Sequence, residues 1–469
     1  MFNKFPLACT LAALTCAAPM AHAQLAESGR AIASLSAFDD AMQTVMAESN
    51  IAAGVLAVSR NGVIVYQRGF GSMLTGQFQW ITVPENTPMR IASCEKPITA
   101  AAIRDLINAG EFGWSTPVFN LGQPVPGVLN LTPFGPLGDS RLRNVTIRNV
   151  VDHRGGWNRS TAPIRDPQFK AVEIADAMNI ASPPGRDNTI RYMLGEPLEF
   201  TPGGNGCMND NGMLTYCYSN FGYMCLGRVI ETASGSSYIN FIRGNILTPS
   251  MWVPSTEIFT GRTFDANQNA REPFYSGGSG CSSVFDNVSG PLNCPYGAWE
   301  HEVMIGHGNL VMSAAAMLTF MENYRVAVGG NSGTRFTEDP TRGGVHSGSL
   351  DGSNSVMWQR SDGINIVVLM NSRNTDDPAP RVASAVADII DAGVTWPTMA
   401  VDGFWIDFNS AQTTEVGGYT NPYRTMPTAL AGTTNGSKYR LKPGTTTWRG
   451  TINKKVRIDA PLGTARLGV

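Results

Sequence analysis

The 469-residue sequence is poor in charged residues. Only 15% of its residues are Asp, Glu, Lys or Arg, well below the usual quarter or so, and its formal net charge is -2. A nucleic-acid surface needs a basic excess, so the charge argues against that class of function. No run of eighteen or more apolar residues follows the first thirty, which argues against a membrane-spanning helix. The hydrophobic content of 42% is still enough for a sizeable core, which excludes wholesale disorder.

Several motifs that mark a particular chemistry are also missing. No Cys-x-x-Cys pair occurs, which argues against a zinc site of that type, and no Gly-x-x-x-x-Gly-Lys phosphate loop occurs. The absence of a Gly-x-Ser-x-Gly elbow argues against an α/β-hydrolase. His301, Glu302 and His307 form a small cluster, but a step of six does not place the two histidines on one helical face. We interpret the cluster as loop structure and expect neither a metal nor a cofactor.

The N-terminal segment has the pattern of an export signal. One positive charge, Lys4, precedes an apolar run over residues 5–19, and the segment ends in Ala21-His22-Ala23, a small-x-small cleavage pattern. Residues 1–23 are therefore predicted to be a cleavable signal peptide. We expect the mature protein to be periplasmic or secreted.

Export changes the interpretation of the cysteines, because disulfides persist in oxidising compartments. Six of the eight cysteines lie beyond the predicted signal, and six allow 15 pairings that sequence alone cannot rank. Two pairs in Gly- and Asn-rich sequence are preferred as disulfides: Cys207–Cys217 and Cys281–Cys294. Cys94 and Cys225 lie in apolar helical sequence and are predicted to be buried thiols. The alternative is that some or all six are reduced.

The apolar pattern predicts strands near both ends of the chain. Residues 53–60 and 63–70 are predicted strands around Asn61-Gly62, a strong hairpin signal. Three later segments are further strand candidates: 344–350, 353–360 and 364–370. Helical periodicity marks four segments: 35–46, 93–109, 218–234 and 380–392. We expect the two hairpin-rich ends to pair into one antiparallel sheet flanked by helices, an α+β fold of the α/β-sandwich type.

This pattern predicts two units in the body of the chain. Residues 24–92 and 301–395 form a discontinuous α/β sheet domain. Residues 93–300 form an inserted, mostly helical domain that carries the active-site helix.

The C-terminal segment, residues 396–469, has no long helical period and is predicted to be a small β-rich appendage. From Ala431 to Val469 it contains eight basic residues and one acid, Asp459. We interpret the segment as packing on the main domain. The alternative is a module whose basic segment contacts an anionic surface or polymer.

Ser93 and Lys96 form a Ser-x-x-Lys pattern at the start of the second helical segment. Residues three apart share a helical face, so the hydroxyl and the amine are neighbours. Pro97 follows at once, and proline is tolerated only near a helix start, which places Ser93 at or near the first turn. There the helix dipole and free N–H groups favour an oxyanion, and a desolvated lysine can activate a serine. Alone, the pattern is weak, because it occurs by chance in many proteins.

Two further triplets make the pattern specific. Tyr218-Ser219-Asn220 opens a long helix, where a tyrosine near a cation can act as general base and Asn220 offers its amide to a substrate carbonyl. His346-Ser347-Gly348, followed by Ser349, lies on a late strand whose edge can supply an oxyanion N–H. In this order, on helix, helix and strand, the three motifs indicate a covalent serine mechanism.

With these motifs the chain resembles the serine β-lactamase and penicillin-binding protein superfamily, in its class C-like branch. It is similar within that branch to family VIII carboxylesterases and D-amino-acid-specific peptidases. The resemblance covers about residues 30–395 and includes segments outside the three motifs: 88–92 before the serine, 145–156, the Pro-Gly turn at 198–203, 306–313 and 362–371.

The resemblance implies a role for each motif residue. Ser93 would be the acylated nucleophile, Lys96 would help to deprotonate it, and Tyr218 would be general base and leaving-group acid. The substrate-binding positions would be Asn220, His346, Ser347, Gly348 and Ser349. Backbone N–H groups of Ser93 and Ser349 would form the oxyanion hole, and His153 matches a position usually read as structural.

One departure from the family pattern affects the expected substrate. His346 stands where many relatives have the lysine of Lys-Thr-Gly, a permanent cation that suits a β-lactam carboxylate. A histidine titrates near about 6.5 and holds its charge only partly. We therefore expect a serine hydrolase acting on a small carboxylic ester, with a D-stereospecific peptidase or DD-carboxypeptidase on peptidoglycan-like peptides as the alternative. β-Lactam hydrolysis ranks third, and a non-catalytic penicillin- or cell-wall-binding protein last.

Overall fold

The structure is a computed structural model. It describes residues 25–75, 79–159, 166–204, 207–208, 214–215, 217–247, 253, 255–327, 329–373, 376–397, 403–418, 421–433, 437–460 and 464–469. The predicted signal peptide, residues 1–23, lies outside these ranges. Within them, every helix is too short or too polar to cross a membrane.

Helices and strands are interspersed along the chain, often in short runs of one kind. The first part forms β1 (Glu27–Gly29), α1 (Ser36–Glu48), β2 (Ala53–Arg60), β3 (Val63–Leu74), β4 (Trp80–Thr82), β5 (Met89–Arg90) and α2 (Lys96–Asn108). The middle part forms α3 (Ile147–Val151), α4 (Ala171–Met178), α5 (Gly185–Met193), β6 (Cys207–Met208), β7 (Leu214–Thr215), α6 (Asn220–Ser234), α7 (Tyr238–Phe241), β8 (Ile258–Thr260), β9 (Ser279–Cys281) and β10 (Leu292–Asn293).

The last part of the chain returns to the sheet and then adds a separate β-rich segment. It forms β11 (Leu310–Met312), α8 (Ala314–Met321), β12 (Gly344–Leu350), β13 (Ser353–Gln359), β14 (Ile364–Met370) and α9 (Pro378–Ala392). The C-terminal segment forms β15 (Phe404–Ile406), α10 (Met426–Gly432), β16 (Ser437–Leu441), β17 (Gly444–Thr446), β18 (Val456–Asp459) and β19 (Ala465–Leu467).

One seven-stranded antiparallel sheet joins the two ends of the chain. Its order is β1-β3-β2-β14-β13-β12, with β4 on β3. β2 pairs with β14 in the register Val55↔Leu369, so the early hairpin and the late strands form one surface. This confirms the predicted fold class. β12 is the last strand in this order, and its neighbour on the nucleophile side is the turn that carries Ser93.

Both faces of the sheet are covered by helices. Successive side chains of a strand point to opposite faces, so each strand contributes to two cores. Leu56, Ile366 and Val368 face α1 and α9, where they pack against residues such as Phe38. Val55 and its neighbours on the other face pack in the core that includes α2, α6 and α8. Deleting a side chain as large as Phe38 from such a core costs about 3–5 kcal/mol. The active-site helix α2 packs in the second of these cores, between the sheet and the helical region.

The cysteines divide as the sequence suggested wherever the structure describes them. Cys281 and Cys294 form a disulfide that clamps β9 to β10. Cys94 and Cys225 are buried free thiols, and burial raises the pKa of both. Cys217 is also disulfide-bonded. Its predicted partner is Cys207, whose side chain lies outside the described part of the structure. The Cys207–Cys217 disulfide therefore remains a prediction.

The C-terminal segment has its own small core, formed by residues such as Phe404, Met426 and Tyr439. Its strands pair in parallel, in the order β15-β16-β18 with β17-β19 apart, an arrangement that composition alone did not indicate. Val63 of the β2–β3 hairpin packs against this core. Several of its basic side chains have partners within the segment: Lys442 with Asp407, Arg440 over Trp405, and Lys454 with two backbone carbonyls.

Candidate active site

The nucleophile lies in a tight turn before α2. Residues Ala92–Glu95 form a 3₁₀ turn that runs directly into the helix, with Pro97 in its first turn. Ala92 has φ of 45°, a left-handed conformation that costs a non-glycine residue about 1–3 kcal/mol and is concentrated at functional sites. Strand β12 approaches this turn so closely that a Cβ on Gly348 would lie 2.2 Å from the carbonyl oxygen of Ile91. Only glycine allows this approach.

Lys96 lies behind Ser93, one helical turn further on. Its Nζ donates hydrogen bonds over 3.0 Å to the Oγ of Ser93 and over 3.0 Å to the backbone oxygen of His307. The side chain is 1% exposed, and burial lowers the pKa of Lys96 to about 7, although the negative charges of Asp166 and Glu95 oppose the shift. An amine in this state exchanges protons readily near neutral pH.

Tyr218 reaches the same oxygen from the helical region. Its hydroxyl donates to Ser93 Oγ over 2.7 Å, and its ring lies 4.7 Å from Lys96 Nζ. Ser219 caps α6 by accepting a hydrogen bond from the N–H of Gly222, which fixes the backbone beside the tyrosine. His153 stacks on the Tyr218 ring and accepts a hydrogen bond from the N–H of Ser219. His153 thus supports the tyrosine, as the structural interpretation implied.

Glu95, between the nucleophile and the lysine, holds the opposite loop. Its buried carboxylate accepts hydrogen bonds from the N–H groups of Gly306, Asn309 and Leu310 over 2.5 to 2.9 Å. Burial raises the pKa of Glu95 to about 7 against the effect of these donors. This contact sets the position of the loop whose carbonyl at His307 receives Lys96. Glu95 belongs to none of the three motifs, and a glutamate at a helix start gives no sequence signal of such a role.

His346 lies on β12, as predicted, but its charge differs from the expectation. The side chain is 5% exposed, and its Nδ1 lies 3.0 Å from the backbone oxygen of Ser347. Burial, with the charge of Lys96, lowers the pKa of His346 to about 3. The expectation of a partly charged histidine is therefore wrong, because desolvation keeps the imidazole neutral near pH 7. Ser347 and Ser349, which alternate with it, are exposed on the cleft side.

Ser93 and Tyr218 open onto a cavity of about 830 Å³. It also brings together the predicted residues Asn220, His346, Ser347 and Ser349, while Gly348 lies against the nucleophile turn. The cavity is also lined by residues outside the three motifs that the sequence did not identify as site residues: Arg159, Asp166, Phe169, Met304, His307, Val345, Leu350, Asp351, Arg373 and Asp377. The charged residues in this set come from loops that are far apart in sequence, so only the fold reveals that they share a cleft.

Asn220 is oriented by Asp166. The Nδ2 of Asn220 lies 3.1 Å from each carboxylate oxygen of Asp166, and burial raises the pKa of that carboxyl. The amide nitrogen expected to serve the substrate is thus directed at a protein partner. The carbonyl oxygen of Asn220 is the group left to face a donor on the substrate.

The cluster of His301, Glu302 and His307 has structural contacts. Trp299 donates to the Nδ1 of His301 over 3.3 Å, and Glu302 accepts hydrogen bonds from Thr263. Over the described ranges, no group of three or more His, Cys, Asp or Glu side chains is arranged to hold a metal ion. Neither ring nitrogen of His307 has a hydrogen-bond partner among these residues.

In this site a serine is hydrogen-bonded to a buried lysine and to a tyrosine, and it lies beside the edge strand of the sheet. This is the arrangement of a serine hydrolase site on a β-lactamase-like fold. Comparison with known proteins gives the family directly. The Beta-lactamase family model matches residues 38–390, and the chain belongs to this family.

Individual relatives are distant. The chain is 28% identical over 199 residues to Esterase EstB of Burkholderia gladioli, covering 42% of this chain and 44% of the esterase. It is 27% identical over 201 residues to Penicillin-binding protein 4* of Bacillus subtilis (strain 168), covering 42% of this chain and 36% of that protein. The alignments thus span less than half of these relatives.

A solved structure shares the fold. The octameric penicillin-binding protein homologue from Pyrococcus abyssi superposes with a TM-score of 0.50 at 20% identity, covering 76% of this chain and 77% of that one.

Proposed function

We propose that the protein hydrolyses a carboxylic ester through a covalent acyl-Ser93 intermediate. The observation that carries the proposal is the pair of hydrogen bonds that Lys96 and Tyr218 make to the Oγ of Ser93. One nucleophile with two proton-exchanging groups at 2.7 and 3.0 Å meets the requirements of acyl transfer.

The chemistry follows from these positions. Ser93 Oγ attacks the ester carbonyl carbon while its single proton passes to whichever of Lys96 and Tyr218 is deprotonated, and backbone N–H groups of Ser93 and Ser349 stabilise the oxyanion. Tyr218 then protonates the leaving alcohol. Water releases the acid and restores the serine hydroxyl. No step needs a metal or a cofactor.

The neutral His346 offers no ion pair to a substrate that ends in a carboxylate, so position 346 does not favour such a substrate over an ester. A β-lactam or a C-terminal D-residue presents an anion, and an uncharged imidazole gives it no ion pair. An ester of a simple alcohol carries no such anion, so its binding is not weakened by a histidine in place of the lysine.

A D-residue amide is the second candidate. Asp166 supports it, because its carboxylate lines the cavity beside Asn220 and suits the amino group of a peptide. EstB is named as an esterase and the Bacillus relative as a penicillin-binding protein, so the relatives favour neither candidate alone. We also propose that residues 1–23 direct export, which places the activity in the periplasm or outside the cell.

A panel of three acyl donors tests the proposal. p-Nitrophenyl butyrate, a D-Ala-D-Ala peptide and a chromogenic cephalosporin are each assayed with the full chain and with Ser93→Ala. We expect the ester to have the highest kcat/KM and Ser93→Ala to lose all activity. An active Ser93→Ala variant would contradict the acyl-Ser93 mechanism. A higher kcat/KM for the peptide than for the ester would show that the substrate is an amide and not an ester.

A further inference from the structure

The backbone around His307 is held by hydrogen bonds with the active-site helix and the turn before it. The carbonyl oxygen of His307 accepts the hydrogen bond from Lys96 Nζ over 3.0 Å. On either side of it, the N–H groups of Gly306 and Asn309 are bound by Glu95. The loop therefore holds the imidazole in one place, where it lines the same cavity as Ser93 and Tyr218.

The imidazole of His307 is buried without a partner. It is 1% exposed, and neither Nδ1 nor Nε2 has a hydrogen-bond partner in the described part of the chain. Burial, with the charge of Lys96, lowers the pKa of His307 well below its ordinary value. A neutral imidazole offers one donor and one acceptor, and a buried polar group of this kind needs a ligand to compensate its lost hydration.

Three polar side chains close to the nucleophile are already engaged. Lys96 and Tyr218 are both directed at Ser93 Oγ, and Asn220 is directed at Asp166. Hydrolysis of an acyl-serine also needs a water beside the acyl carbon, and a bound water typically requires two or more polar partners. His307, whose backbone oxygen contacts Lys96, supplies unused hydrogen-bonding capacity to the same cavity.

We propose that His307 binds the water that hydrolyses the acyl-Ser93 intermediate, an inference that rests on the proposed function. The imidazole accepts a hydrogen bond from one O–H of the water, whose proton stays on the water oxygen, and that oxygen attacks the acyl carbonyl carbon. The second proton passes to Lys96 or Tyr218, the bond between the carbonyl carbon and Ser93 Oγ breaks, and Oγ takes up that proton. The products are the free carboxylic acid and the unmodified serine.

Deacylation kinetics test this role. His307→Ala is compared with the full chain by stopped flow on p-nitrophenyl butyrate, with the acyl adduct followed by intact mass. We expect the deacylation rate to fall about tenfold, as for one lost hydrogen bond, while the burst of p-nitrophenol keeps its rate. Because kcat/KM reports acylation, kcat and KM should fall together and leave kcat/KM within about twofold.

Two variants separate this role from a structural one. His307→Gln keeps a donor and an acceptor and should restore most of the deacylation rate. His301→Gln is the matched control, since His301 is a buried histidine with an unpartnered Nε2 that does not line the cavity. It should lower the melting temperature without slowing deacylation.

The outcomes are distinct. A normal deacylation rate in His307→Ala, or a loss confined to acylation, would overturn the role of His307 and leave the proposed function standing. If the ester gives no adduct but the D-Ala-D-Ala peptide does, the same measurements on the peptide decide the role of His307. If Ser93 forms no adduct with any of the three donors, the proposed function fails and the inference fails with it.

Discussion

The hydroxyl of Tyr218 donates a hydrogen bond to the Oγ of Ser93 over 2.7 Å, and Lys96 donates to the same oxygen. In the resting site Ser93 thus faces two proton donors. It becomes a nucleophile only when one of them has lost its proton and accepts in turn. Both the rate of acylation and its pH dependence follow from this requirement.

Removing the phenol should remove most of the rate. Tyr218→Phe keeps the ring that stacks on His153 but loses the proton carrier, and we expect kcat to fall by about 10²–10⁴-fold. Tyr223→Phe is the matched control, because its hydroxyl donates to the carbonyl of Val151 rather than to the nucleophile. That variant should lose stability and keep its rate within a few-fold. Equal rates for Tyr218→Phe and the full chain would exclude Tyr218 as a proton carrier.

Activity should rise with pH through about 7. Burial lowers the pKa of Lys96 to about 7, so the amine is protonated and unable to accept from Ser93 below that pH, and becomes competent above it. The logarithm of kcat/KM should therefore show an acid limb with a midpoint near 7. Lys96→Arg should be inactive at every pH tested, because a guanidinium does not deprotonate.

Glu95 titrates in the same range and needs its own control. Glu95→Gln is expected to lower kcat by loosening the loop of Asn309 but to keep the acid limb. Loss of the limb in this variant would assign it to the glutamate instead of Lys96.

A cation at position 346 should shift substrate preference. His346 is neutral because burial lowers its pKa to about 3, and His346→Lys introduces a charge beside Ser347. We expect the ratio of kcat/KM for a D-Ala-D-Ala peptide over that for p-nitrophenyl butyrate to rise at least about tenfold. His346→Gln, of similar polarity and no charge, serves as control. An unchanged ratio in the lysine variant would show that the charge at position 346 does not determine the substrate preference.

Cys94 should be chemically inert although it follows the nucleophile directly. It is fully buried, donates to the backbone oxygen of His346, and burial raises its pKa to about 12. Because the thiolate is the reactive form, iodoacetamide at pH 8 should leave both the activity and the mass at this residue unchanged. Rapid inactivation with alkylation of Cys94 would mean that the nucleophile turn opens in solution.

The C-terminal segment should be dispensable for the chemistry. A chain that ends at residue 397 keeps Trp396, whose ring lies over Arg60, and loses the separate core around Tyr439. We expect it to form the acyl-Ser93 adduct at a normal rate and to melt at a lower temperature, since Val63 loses its cover. Failure to fold would instead make the segment an integral part of the sheet domain.

The strands and the motif residues were predictable because local pattern determines them. The predicted segments 53–60, 344–350 and 364–370 agree with β2, β12 and β14 to the residue, since each is a short apolar or alternating run bounded by turn residues. Pro97 was enough to place Ser93 at the start of α2.

What the sequence could not supply depends on burial and on long-range pairing. The neutral state of His346 follows from its surroundings, so its residue type gave the wrong charge. Asp166 turns the amide of Asn220 from a distant loop, and no spacing along the chain relates the two. The parallel pairing of β15, β16 and β18 is likewise a property of the assembled segment.

The contacts around the nucleophile join parts of the chain that are far apart. Ser93 is 125 positions from Tyr218, Lys96 is 211 from His307, and Cys94 is 252 from His346. No short fragment of the polypeptide contains all of these residues, and the chain from Ser93 to His346 must fold together before they meet. Turnover is therefore a sensitive report of complete folding, and a newly made chain stays chemically silent until its last sheet strands are in place.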